Sequence, residues 1–155
     1  MATQTLARAQ YCGGPARIVS LPEAASQSFK QGQFVYLASG KVTVCADDAT
    51  TIYGLAMQDA SGTTDTAMMV MQARDDTEFL MNAYHATPSS AVTAVTQVGV
   101  KYGLEVDSNR CYVDISQTGA DALIINEIMD AVGDTYGRVK ASVIAAAQQR
   151  DAIAT

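Results

Sequence analysis

At 155 residues the chain is long enough for one domain to bury about 70% of the surface its unfolded form exposes, so it needs no metal or disulfide staple to fold. Ten basic against sixteen acidic residues give a net charge of −6, which excludes broad contact with nucleic acid phosphates or an anionic membrane. Charged residues make up 17%, against a usual value of about 25%, so Thr, Ser, Gln and Ala must cover the surface, and part of it suits burial against a partner.

Residues 1–22 carry Arg8 and Arg17 and no acid, whereas the remainder holds eight bases and sixteen acids. A basic leader on an acidic body reads either as a docking arm or as a free tail. Within it, residues 6–11 (LARAQY) suit one or two helical turns, too short to be stable in water without a partner. Gly13-Gly14-Pro15 then joins two flexible residues to one of fixed φ, so residues 1–16 are expected to form an extended arm that ends in a hinge.

From residue 17 to residue 84, short apolar runs (RIVSL, SFKQGQ, FVYLAS, KVTVCA, TIYGLAMQ, TAMMVMQA, TEFLMNAY) are broken by turn residues every 8 to 14 positions. That spacing predicts an all-β fold, a small antiparallel barrel or sandwich. Ser39-Gly40 falls between two alternating runs, where a tight reversal needs positive φ. The alternation gives one face of these strands to a core and the other to solvent or a neighbouring subunit.

Residues 91–106 (AVTAVTQVGVKYGLEV) predict a strand leading into a turn at residues 107–110 (DSNR), with Gly99 and Gly103 as bulges or tight bends, and CYVDIS as the return strand. Residues 120–132 (ADALIINEIMDAV) fit either a helical face or a buried strand. The turn from Gly133 and the alternating RVKASVI that follow favour strand–turn–strand. The body thus runs over residues 17–147, and residues 148–155 form a tail that is either a short helix or loose.

Chemistry-bearing patterns are sparse. His85 is the one histidine, which removes histidine-rich metal sites and Ser-His or Cys-His pairs. Cys12, Cys45 and Cys111 are far apart and form no Cys-x-x-Cys pair, the usage of packing residues in a reducing compartment. Asp47-Asp48 and Asp75-Asp76, with Glu78, offer oxygen ligands for a metal-assisted hydrolase, but their spacing fits no calcium loop and matches solvated turns. No catalytic, cofactor or metal residue is therefore assigned. The leader lacks the apolar core of a signal peptide and no apolar run reaches about 18 residues, so a chain made in the cytoplasm is expected.

Residues 32–40 (GQFVYLASG), 42–45 (VTVC), 52–56 (IYGLA) and Gly62, with 99–104 (GVKYGL), 112–114 (YVD) and 132–139 (VGDTYGRV), resemble the capsid decoration, or cement, proteins of tailed bacteriophages. The resemblance covers about residues 28–145 and rests on turn glycines and strand parity. It implies a β-tulip-like, non-enzymatic homotrimer that sits on the outer surface of the virion. There it would cap three-fold and quasi-three-fold positions, bridging major capsid proteins and meeting neighbouring decoration trimers. It also implies docking through an N-terminal arm, here Leu6, Arg8, Tyr11 and Arg17, with Gly32, Gly40, Gly54, Gly62, Gly99 and Gly133 as structural turn glycines. Other readings are a head-completion or tail-tube β-barrel subunit, the metal-assisted hydrolase, and a sugar- or peptide-binding module, for which a tryptophan platform is missing.

Overall fold

The computed structural model describes residues 1–149, and these form strands joined by turns and three single 3-10 turns. In chain order the strands are β1 (Gln10–Gly13), β2 (Ile18–Pro22), β3 (Phe34–Ala38), β4 (Lys41–Val44), β5 (Gly54–Ala56), β6 (Ala67–Gln72), β7 (Glu78–Tyr84), β8 (Lys101–Asp107), β9 (Arg110–Asp114), β10 (Leu123–Ile128) and β11 (Arg138–Val143). The protein is all-β, as its turn spacing predicts.

Five strands in the order β7-β11-β10-β8-β9 close into a barrel, because β9 pairs in parallel with the end of β7 through Ala83↔Val113 and Tyr84↔Asp114. The start of the same β7 edge is left for β1, which pairs antiparallel through Gln10↔Leu80 and Tyr11↔Phe79. The other strands form a second sheet, β2-β6-β5-β3-β4. This sheet curls until a parallel bridge, Glu23↔Val42, sets the chain after β2 beside β4. Closure in both places leaves few unpaired edges, the usual device against edge-to-edge aggregation.

The curl changes what strand alternation means here. In β3, Phe34 and Val35 are both fully buried although they point to opposite faces. Phe34 belongs to the main core, where it meets Phe79 edge to face at 5.1 Å. Val35 lies inside the curled sheet with Phe29, Val42, Ala56, Met68 and Val70. The expected solvent-facing side of this strand is thus a second core, each such side chain contributing about 1.5–3 kcal/mol by burial.

Ser39 and Gly40 both have positive φ, 50° and 78°, and Ala38 pairs with Lys41, so the reversal is the predicted two-residue hairpin loop. Three other expectations are corrected. Residues 6–11 are not helical, because their backbone runs extended and partly pairs with β7. Residues 28–33 are a turn, with Gln33 Oε1 accepting from Lys30 N at 2.9 Å. Residues 91–100 hold a 3-10 turn, Val95–Gln97, because the Gln97 carboxamide accepts from Ala94 N and donates to Val92 O; the strand starts only at Lys101. The tail expected over 148–155 lies outside the described residues except for Gln148 and Gln149, both buried.

Candidate functional site

The N-terminal segment does not stand off the body as an arm. It lies along the barrel as a strap, and side chains of the barrel grip its main chain. Asn82, on β7 and 1% exposed, accepts from Ala7 N at 2.9 Å and donates through Nδ2 to Thr5 O at 3.2 Å and to Tyr136 O at 2.7 Å. Asp134, also buried, accepts from Ala2 N at 3.1 Å and from Gln4 Nε2 at 2.8 Å. Between them Gln4 N donates to Thr135 O and Thr135 N to Ala2 O. A buried carboxamide with both donor and acceptor aimed at a neighbouring backbone holds an extended chain largely whatever its side chains.

Of the residues proposed for docking, Leu6 is half-buried, and Arg8 and Tyr11 are exposed on the strap. Arg17 lies past the hinge, where its carbonyl accepts from Gln72 N. The charge of Arg8 reaches Asp59, whose carboxyl is held below the usual range first by the Gln31 N–H and then by the charges of Lys30 and Arg8. Gly32 forms the bed of the strap: its N–H donates to Ala56 O, and a Cβ there would stand 2.6 Å from Ala9 O. Gly62 donates its N–H to the buried Glu23 carboxylate, which also accepts from the Ser61 N–H and hydroxyl. Gly133 lies beside Met1, Gly40 and Gly99 occupy open turns, and Gly54 sits inside β5. Asn82, Asp134 and Glu23 carry no sequence motif; the one signal was Asn82 itself, a polar residue inside the apolar run EFLMNAY.

One end of the barrel exposes apolar side chains beside the start of the strap. Val95, Val98 and Val100 come from the 3-10 loop and Met129 and Val132 from the loop after β10, all more than a third exposed. Gly133 N donating to Thr93 O ties the two loops together, and Met1 rests against Gly133. Grouped apolar exposure of this kind marks a contact surface.

The carboxylates form no assembled centre. Among the described residues no three His, Cys, Asp or Glu side chains stand together as metal ligands. Asp47 accepts from Val106 N and Asp75 from Gln148 Nε2. An open cleft of about 770 Å³ is bordered by Asp75, Asp76, Glu78, Lys101, Asn126 and Ser142, but Asn126 already donates to Glu78 and Ser142. His85 Nδ1 accepts from Thr87 N and holds a loop. Burial pushes the Cys111 thiol up to about 12 and the Cys45 thiol well above its ordinary value.

Glu105 on β8 is the exception. Burial, then a hydrogen bond with Asp47 and the charges of Asp47, Asp114 and Asp48, raise it to about 7. The folded form therefore keeps a proton that the unfolded chain releases. This contribution to stability is complete below about pH 4.5 and is lost as pH rises through about 7. Glu105 is partly open to solvent, and screening reduces the effect to about 1 kcal/mol. Glu105→Gln should raise the melting temperature at pH 8 by about 2–4 °C and leave it unchanged at pH 4, which thermal unfolding at the two pH values measures. An equal shift at both would refute the raised pKa of Glu105.

Compared with known proteins, the chain matches no family model and no curated protein.

Proposed function

We propose that the chain is a structural, non-enzymatic subunit that works by protein–protein contact, a decoration protein that attaches as a homotrimer to the outer surface of an expanded phage capsid. The observation that carries the reading is the apolar end of the barrel, formed by Val95, Val98, Val100, Met129 and Val132, next to a strap held by main-chain bonds. The low charge, the turn-glycine pattern and the β-barrel are consistent with that role. Surface of this kind offers a neighbour an apolar centre, and three copies in one trimer add avidity to contacts that are individually weak.

The test is co-sedimentation of the purified protein with phage capsids before and after expansion, with sizing of the free protein. A fixed ratio on expanded capsids only, and a trimer in solution, are expected. A ring of six or more subunits, or no attachment, would overturn the reading. Val98→Asp combined with Met129→Asp should lower the attached fraction about tenfold, since each places a charge at the centre of the contact. The melting temperature should stay within about 2 °C, because both side chains are already exposed.

A further inference from the structure

We propose that the strap is an exchangeable strand: residues 1–13 of one copy leave their own barrel and fill the same track on a second copy, so that two subunits are linked through the hinge at residues 13–15. The inference does not depend on a capsid, since every contact it uses lies within this chain.

Three observations carry it. Most of the bonds that hold the strap end on its main chain, at Ala2, Gln4, Thr5 and Ala7, and an identical strap from another copy would make each of them again. Among residues 1–9 only Ala9 is buried, so it is the one side chain of that stretch drawn from the core when the strap lifts. The chain beyond the hinge is independently fastened: Thr77 Oγ1 donates to Pro15 O at 2.8 Å, and Gly14, with φ of 80°, supplies the bend between the two parts.

Exchange is favoured over simple release because of what release leaves behind. An empty track gives up the Asn82 bonds to Ala7 N and Thr5 O, both bonds to the Asp134 carboxylate and the backbone pair with Thr135, each of them a net gain over water, while Asn82 keeps only its bond to Tyr136 O. Exchange that closes, reciprocally in a pair or head to tail round a trimer, restores every bond, so its free energy reduces to the cost of association and any strain in the hinge. That is the low-cost route by which identical elements swap between protomers. A second copy of this chain, which carries the same extended segment on the same hinge, is the occupant that restores the Gln4 side-chain bond to Asp134 as well as the main-chain ones.

Thr3 and Thr135 are bridge partners in parallel register, close enough for a disulfide between cysteines placed there. Four full-length chains are prepared on a Cys12→Ser background: Thr3→Cys, Thr135→Cys, the double variant, and Ser89→Cys on an exposed loop. The two single variants, differently tagged, are mixed, incubated and oxidised, then run on a non-reducing denaturing gel. A mixed-tag disulfide product is expected, growing with incubation toward about half the extent of closure seen in the double variant, since random exchange pairs unlike chains half the time, and absent when Ser89→Cys replaces Thr135→Cys. Closure of the double variant within single chains, with no mixed-tag dimer, overturns the proposal. So does equal linkage to Ser89→Cys, which indicates collision, or a double variant that never closes, which means the strap does not occupy the track. None of these outcomes bears on attachment to capsids.

Discussion

Gly54→Ala is expected to abolish cooperative folding, a loss of about 4 kcal/mol or more from one methyl group. Gly54 opens the three-residue strand β5, which is flanked by β6 and β3, and its Cβ would stand 2.1 Å from Met71 O and 3.0 Å from Val70 Cγ1. The obstruction is backbone rather than a flexible side chain, so β5 would have to move away from β6, opening both the curled sheet and the main core that Leu55 and Met71 share. Gly40→Ala serves as the control. Nothing lies within 4 Å of its Cβ, so only the positive φ opposes the change, at about 1–2 kcal/mol. Differential scanning calorimetry separates the two: no transition, or one lowered by tens of degrees, for Gly54→Ala, against a modest shift for Gly40→Ala. Equal shifts would mean that the β5–β6 approach is looser than described.

That contrast also shows what the sequence can reveal. Both Gly40 and Gly54 are expected as turn glycines, but Ser39-Gly40 acts locally, through dihedral angles that turn chemistry demands, whereas Gly54 lies in a strand and acts through pairing across 17 intervening positions. Period-two alternation and turn residues locate β3, β4, β9, β10 and β11 because those signals are local. The closures that bend the sheets, β7 onto β9 and Glu23 beside Val42, join distant segments and leave no local trace. Hence alternation alone assigns the second buried face of β3 to solvent or a neighbouring subunit.

The leader fails for the same reason. LARAQY favours a helix by intrinsic propensity, a difference of a few tenths of a kcal/mol per residue, and the barrel outweighs it with bonds from Asn82, 75 positions away from Ala7. Likewise the Val- and Thr-rich residues 91–100 turn because the one glutamine among them bonds its own backbone. Low charge, by contrast, is a whole-chain property, and the apolar barrel end on which the functional proposal rests is consistent with that composition.

Asn82 is where fold and proposed function meet, and Asn82→Leu should lower stability by about 3 kcal/mol. The substitution keeps the number and branching of the heavy atoms but removes one acceptor and two donor contacts, leaving Ala7 N, Thr5 O and Tyr136 O to find water or go unpaired. For a chain of this size that is about 6–12 °C in melting temperature. Asn82→Asp should be worse at pH 7 although it is nearly isosteric, because its second oxygen would face two carbonyl oxygens at distances where Nδ2 now donates. Acidification should recover part of the loss, since a protonated carboxyl regains one donor. Amide exchange adds a spatial check: residues 2–11 should lose protection beyond the drop set by global stability in both variants, while β3 and β4 lose no more than that drop, because the curled sheet shares no bond with the strap's grip. If protection fell evenly over the whole chain, Asn82 would be a core residue rather than the clasp of the strap.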